Sequence, residues 1–172
     1  GVAFVLILRW KSEPRASTLP GERFVGAMRV GLQYMARFNH LHKPFDNAKV
    51  RQAVLYALSQ KEFLDANSGN PDYYKECKSV FPCGSPLEST KGWEDKVGGN
   101  VAKARQLLAE SGYDGTPAVL LHQTDTAGHN NLATVAKAQL EKAGLKVDLQ
   151  PMDWQTLVTR RAKKDPPDKG GW

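Results

Sequence analysis

Two segments within the first forty positions have patterns typical of extended strands. The run VAFVLILRW (2–10) is apolar and β-branched, and GLQYMARFN (31–39) places alternate apolar side chains on one face. The segment SEPRASTLPGE between them is rich in turn-forming residues. Residues 1–38 are therefore predicted to form a strand, a loop and a second strand, as the edge of a sheet or as a connector.

After residue 40 the apolar positions recur at helical spacing. The segment that follows Pro44 predicts a helix with Asp46 or Asn47 as its N-cap. Ser59 and Glu62 have the spacing of a capping box, which predicts a kink at Ser59 and a second short helix after it. The Ser-Gly-Asn triplet that follows is expected to end this second helix.

Regular order resumes beyond a long predicted loop over residues 69–99. A helix is predicted from Asn100, followed by the strand AVLLHQ, the helix NNLATVAKAQLEKAG, the strand KVDLQP and a helix capped by Asp153. This alternation predicts an α/β fold with a mainly parallel sheet flanked by helices. Ligands of such sheets bind at the carboxyl ends of the strands, here residues 123–129 and 151–154.

Composition and charge narrow the classes of protein. The 172 residues are 41% hydrophobic and 24% charged, values typical of one folded domain. The longest apolar run, residues 2–8, is far shorter than the ~20 residues that a membrane-spanning helix needs. The formal net charge is +6, but the basic residues are scattered rather than aligned on one face, so nucleic-acid binding is not expected.

The usual catalytic signatures are absent from the sequence, which contains no phosphate-binding P-loop, no nucleophile elbow and no H-E-x-x-H or C-x-x-C motif. Cys77 and Cys83 lie in a Pro/Gly-rich segment at a spacing that a short disulfide ring can bridge. Four interpretations remain open from the residues alone: a disulfide, two reduced thiols without a chemical role, a small enzyme or redox domain that uses Cys77 or Cys83 as nucleophile, and a metal site completed by His40 and His42.

Several motifs resemble, in their order along the chain, those of the substrate-binding proteins of peptide-type ABC transporters, the group that binds dipeptides, oligopeptides or nickel. FNHLHKPFDNAKVRQAVLYALSQKEF is similar to the family's strand, its Pro-Phe-Asp turn and its V-R-x-A helix. NVAKARQLLAESGYDG is similar to its A-x-x-L-L-x-x-[AS]-G-Y-x-G helix. The resemblance covers about residues 30–172. It implies that residues 39–172 form most of the second α/β lobe of a two-lobed periplasmic-binding-protein fold, and residues 1–38 a connector from the lobe crossover.

A function follows from this resemblance. It implies the solute-binding component of an ABC importer, which captures peptides or related small solutes, is not an enzyme and needs no cofactor. Its partners would be the solute and an ABC permease, and it would meet the membrane only through that permease. The implied location is the periplasm, or the cell exterior with a lipid anchor. Because such a compartment is oxidising, Cys77 and Cys83 are expected to be bonded.

The resemblance also implies five ligand-binding residues. Trp154 would pack on the ligand, Arg160 would line the cleft, and Lys169 would meet a peptide carboxylate. Trp172 corresponds to the cleft tryptophan of the family's [RK]-x-G-W pattern, and His129 to a histidine that reaches the far end of longer ligands. From the residues alone, core packing of both tryptophans and an exposed helix start for His129 remain open.

The length of the chain adds one expectation. Members of the family have several hundred residues, so these 172 are expected to be a truncated or excised lobe. The acidic residue that the family places three positions after the cleft tryptophan would then lie outside the chain.

Overall fold

The chain is represented by a computed structural model that describes residues 2–4, 9–10, 35–69, 71, 74–81, 83–125 and 130–172. These residues contain six strands: β1 Val2–Phe4, β2 Arg9–Trp10, β3 Ala36–Phe38, β4 Tyr74–Lys75, β5 Ala118–Gln123 and β6 Val147–Met152. The helices are α1 Ala48–Ala57, α2 Gln60–Ser68, α3 Val101–Glu110, α4 Asn130–Lys142 and α5 Trp154–Arg161, followed by a 3₁₀ turn at Pro167–Lys169. Within this part of the chain, every helix is too short or too polar to cross a bilayer.

The main sheet has four strands in the order β3-β1-β5-β6. β1 is antiparallel to β3 and parallel to β5, and β5 is parallel to β6 in a register that joins Ala118 to Val147 and Gln123 to Met152. The prediction of an α/β fold with a mainly parallel sheet is confirmed.

The amino-terminal segment takes part in two sheets. β1 belongs to the main sheet, whereas β2 pairs with β4 in a separate two-stranded sheet. Of the predicted strand over residues 2–10, the two ends are therefore seen as strands in different sheets, and residues 5–8 between them lie outside the described residues. The predicted loop over 12–22 and the first half of the predicted strand over 31–39 lie outside the described residues.

The predicted helix starts are confirmed by their caps. The side chains of Asn47, Asn100 and Asp153 accept hydrogen bonds from the backbone N–H groups of Lys49, Lys103 and Thr156 at 2.9, 3.0 and 2.9 Å. Ser59 Oγ accepts one from Glu62 at 3.4 Å. These bonds satisfy N–H groups that have no partner inside the helix, which is why short polar residues mark these positions.

The junction between α1 and α2 is a break rather than the predicted kink, since Leu58 and Ser59 are both extended. The capping box forms only in part. Ser59 N–H donates to Gln139 Oε1 at 2.9 Å, and Gln139 Nε2 donates to Glu62 Oε2 at 2.8 Å. The amide of Gln139, from α4, thus stands between the Ser59 N–H and the Glu62 carboxylate, which bond each other directly in a complete capping box.

β5 is buried on both faces. Ala118 and Leu120 point into the larger core, which α1, α3 and α4 help to build. Val119 and Leu121 point into a smaller cluster on the opposite face, where the fifth helix and the last residues of the chain cover the sheet. This second cluster positions the segment that carries most of the predicted ligand residues.

Candidate functional site

The carboxyl ends of β5 and β6 lie side by side and form what we call the ligand edge, residues 123–125 and 152–154. The pairing continues past the last strand residues, because Thr124 N–H donates to the Met152 carbonyl at 3.0 Å. Asp125 then accepts the N–H of Trp154 on Oδ2 at 3.1 Å. The two turns are thereby joined at the place where parallel sheets bind ligands.

Both carboxylates of this edge are engaged in hydrogen bonds. The Trp154 backbone N–H, and after it the Gln123 side chain, lower the pKa of Asp125 below its usual range. The hydroxyl and the backbone N–H of Thr156 lower the pKa of Asp153 in the same way, as that carboxylate caps α5. Both groups are therefore ionised at neutral pH and hold the start of α5.

Trp154 presents its ring at this edge, with 44% of the residue exposed. The guanidinium carbon of Arg161 lies 5.5 Å from the centre of that ring. The two residues are seven positions apart on α5, which places them on one face of the helix two turns apart. The pair forms an exposed aromatic and cationic platform. The structure does not test the predicted ligand contact of Trp154, and that role stays a prediction.

Trp172 lies in a different environment. Only 7% of it is exposed, and it packs in the smaller core cluster with Val119, Leu121 and Leu157. Its backbone carbonyl accepts a hydrogen bond from the side-chain amide of Asn39. This placement favours core packing over direct ligand contact, and the predicted ligand role remains untested.

Arg160 is turned away from Trp154. Its Nε donates to the Gly171 carbonyl at 2.7 Å, and its Nη1 donates to the side-chain oxygen of Gln150. The residue stacked on Trp154 is instead its neighbour Arg161, which motif matching missed. The signal for Arg161 was present in the sequence, as a spacing of seven residues from Trp154 on a predicted helix.

Two further predicted ligand residues are Lys169 and His129. Lys169 lies exposed at the end of the 3₁₀ turn, where its N–H donates to the Pro166 carbonyl at 3.0 Å. His129 lies outside the described residues, just before the start of α4. The ligand roles of both stay predictions.

Cys77 and Cys83 form a disulfide with their Cα atoms 5.8 Å apart, as expected from the implied compartment. Cys77 is buried, and the side chain of Gln60 bonds both its N–H and its carbonyl. In this form neither cysteine offers a thiolate as nucleophile or as zinc ligand. No cluster of three His, Cys, Asp or Glu side chains able to hold a metal ion occurs in the described part of the chain.

A cavity of about 330 Å³ is lined by residues at the start of α1 and by residues 112–114, which follow α3, and it shares no lining residue with the ligand edge. Lys43 and Asp114 at its rim form an ion pair at 2.8 Å, and Asn47 donates to the Ser111 carbonyl at 3.0 Å. These polar groups already bond other parts of the chain, so the cavity is a weaker candidate than the ligand edge.

Comparison with known proteins places this geometry in a family. The family model described as "Bacterial extracellular solute-binding proteins, family 5 Middle" matches residues 2–168. The chain is 38% identical over 161 residues to a Sinorhizobium fredii protein named "Probable peptide ABC transporter periplasmic-binding protein", an alignment that covers 92% of this chain and 30% of that protein. It is 30% identical over 125 residues to the glutathione-binding protein of Escherichia coli K12, an alignment that covers 71% of this chain and 23% of that protein.

Solved structures agree with these relatives. An ABC transporter substrate-binding protein from Listeria monocytogenes matches with a TM-score of 0.64 and 25% identity, over 73% of this chain and 26% of that one. The oligopeptide-binding protein AppA of Bacillus subtilis, solved with a nonapeptide, matches with a TM-score of 0.54 and 26% identity, over 72% of this chain and 27% of that one. The present chain thus spans less than a third of the length of these relatives. With a match over nearly its whole length, it belongs to the bacterial extracellular solute-binding proteins of family 5.

Proposed function

We propose that this chain is part of the solute-binding component of an ABC importer and forms one side of its binding cleft for peptides or related solutes. The observation that carries the proposal is the exposed Trp154–Arg161 platform at the carboxyl ends of two parallel strands, in a chain of this family. The names of its relatives, which include a peptide transporter protein and glutathione-binding proteins, support the solute class.

The platform offers two kinds of contact. The exposed indole of Trp154 provides an apolar surface for a peptide backbone or side chain. The guanidinium of Arg161, held over that ring, offers N–H donors to a ligand carboxylate. Lys169 would meet a ligand carboxylate and His129 would reach the far end of longer ligands, while Arg160 and Trp172 would support the ligand edge from within the fold.

Transport in this proposal involves no bond made or broken in the solute. Closure around the ligand would exclude water, and the closed form would dock on an ABC permease, through which alone the protein meets the membrane. The site of action would be the periplasm or the cell exterior, as the names of the relatives support. A thiol-dependent enzyme is not favoured, because Cys77 and Cys83 are bonded to each other.

The proposal is tested by ¹⁹F NMR of the chain labelled with 5-fluorotryptophan. The chain contains four tryptophans, so each resonance is assigned by a single Trp→Phe variant. Trialanine and glutathione are added as probes, each up to about 10 mM. A whole binding protein with a Kd near 1 µM gains about −8.2 kcal/mol, and half of that energy corresponds to a Kd of about 1 mM.

We expect the Trp154 resonance to shift saturably with at least one probe while the Trp93 resonance stays fixed. Arg161→Gln should weaken the response. Arg105→Gln is the matched control, since Arg105 binds the carbonyl of Lys142, at the end of α4 and outside the ligand edge. A Trp154 resonance that neither probe moves would contradict the proposal, as would a response that Arg161→Gln leaves unchanged.

A further inference from the structure

Asn39 joins two parts of the chain that lie 133 residues apart in sequence. It follows β3 directly and is only 5% exposed. Its side-chain oxygen accepts the N–H of Leu41 at 3.0 Å, and its side-chain nitrogen donates to the carbonyl of Trp172. One buried amide therefore fixes both the turn after β3 and the backbone of residue 172.

Arg160 holds the neighbouring carbonyl. Its Nε donates to Gly171 at 2.7 Å, while its Nη1 reaches the side chain of Gln150 on β6. Two consecutive carbonyls, those of residues 171 and 172, are thus held by side chains from two separate elements. We call Asn39 and Arg160 together the carbonyl clamp.

The segment held by the carbonyl clamp has little freedom of its own. The N–H of Gly171 donates to the Pro166 carbonyl at 3.1 Å, which closes residues 166–171 into a compact turn. A Cβ atom at Gly171 would lie 1.6 Å from the carbonyl oxygen of Asp165, so the backbone fits there only with glycine. Trp172 then fills the cluster beneath β5 and α5.

The clamp also fixes the orientation of α5. Consecutive side chains on an α-helix point about 100° apart. Arg160 points inward to Gln150 and Gly171, and Arg161 points outward over the ring of Trp154. A rotation of α5 that turns the Trp154–Arg161 platform away from the ligand edge would therefore break the bonds of Arg160.

We propose that Asn39 and Arg160 are positioning residues that hold α5 and the segment 165–172 in place, so that the Trp154–Arg161 platform keeps its position at the ligand edge. The effect of these residues on solute binding rests on the proposed function. Their effect on the position of α5 and of segment 165–172 does not rest on it, and the two effects are measured separately.

The first measurement uses the labelled chain without solute. Asn39→Asp keeps the acceptor for Leu41 N–H and replaces the donor to the Trp172 carbonyl by an oxygen that repels it, so it should shift the Trp172 resonance. Arg160→Lys keeps the charge but loses the planar fork, and should shift both the Trp172 and the Trp154 resonances. Wild-type positions of these resonances in both variants would overturn the inference.

Matched controls remove the same kinds of bond elsewhere. Asn131→Asp loses a side-chain donor on α4 that bonds the Ala66 carbonyl of α2 at 2.9 Å. Arg105→Lys loses the two guanidinium N–H groups that bind the Lys142 carbonyl, at 3.2 and 2.8 Å. Neither control should move the Trp154 or Trp172 resonance. Equal shifts in the controls would show that the effect is general, and would also overturn the inference.

The second measurement adds trialanine and glutathione at a temperature well below the unfolding transition of every variant. Asn39→Asp and Arg160→Lys should each weaken binding about fivefold, as expected for one lost hydrogen bond, while the controls bind like the wild type. If the wild type binds and both variants bind equally well, the positioning role is refuted while the proposed function stands. If the wild type fails to bind, the proposed function fails and the resonances without solute decide the inference.

Discussion

Replacement of Gly171 by alanine tests the packing of the segment beneath the ligand edge. The added Cβ atom would lie 1.6 Å from the carbonyl oxygen of Asp165, and separations below 3.0 Å do not occur for real Cβ atoms. The backbone must therefore move by about 1.4 Å at a turn that is closed by hydrogen bonds to Pro166. The simplest relief is partial detachment of the segment, which exposes Trp172.

The burial of Trp172 sets the upper limit of the cost. A tryptophan buries about 150–250 Å², worth about 4–6 kcal/mol at about 25 cal/mol per Å², and such sums are upper estimates. Because a detached segment would still shield part of the ring, we expect Gly171→Ala to lower the free energy of unfolding by about 2–4 kcal/mol. For a chain of this length that corresponds to a fall in Tm of about 5–15 °C.

Urea unfolding followed by circular dichroism measures this change. Gly98→Ala is the matched control, since a Cβ there meets no atom within 4 Å and its φ is not positive, and its unfolding free energy should stay near that of the wild type. In Gly171→Ala the emission of Trp172 should also shift to the red. A loss of less than about 0.5 kcal/mol would refute the reasoning, because it is no more than an ordinary surface substitution costs.

Three further predictions concern other parts of the structure. Alkylation without reductant should label neither Cys77 nor Cys83, and two thiols that react under these conditions would contradict the disulfide. Reduction should lower the unfolding free energy by about 2 kcal/mol, which is the chain-entropy value for a seven-residue ring. The lowered pKa of Asp125 means that its bond to Trp154 is intact above about pH 3.9 and is lost as the pH falls through the folded-state value. The ¹⁹F resonance of Trp154 should therefore titrate in acid, and an unchanged titration in Asp125→Asn would exclude this carboxylate as the cause. Gln139→Leu leaves the buried backbone N–H at the start of α2 without its acceptor and should cost about 1–3 kcal/mol in urea unfolding; a neutral result would show that this N–H finds another partner.

The helices were predictable because their signals are local. Each of the four N-cap side chains bonds a backbone N–H two or three residues ahead, so residue type and spacing are enough to place the helix start. The intervening amide of Gln139 was not predictable. It bonds Ser59 across 80 residues, and a sequence pattern carries no signal for such a distant polar partner.

The candidate site was predictable only in outline. The order of helices and strands located the ligand edge, but it did not distinguish an exposed Trp154 from a buried Trp172, since exposure depends on neighbours contributed by β5 and α5. Arg160 and Arg161 are identical in type and adjacent in sequence. Helical phase relative to Trp154 separates them, and a match of motif order does not.

The side chain of Gln60 gives the two cysteines unequal reactivity once their bond is reduced. Gln60 bonds the N–H and the carbonyl of Cys77, so this end of the ring keeps its place without the sulfur link. Cys77 is 2% exposed, whereas Cys83 is only partly buried. Because access limits the rate of thiol modification, Cys83 should be alkylated first and Cys77 slowly. A brief pulse of iodoacetamide after reduction would then yield mainly the singly modified chain, with the label on Cys83.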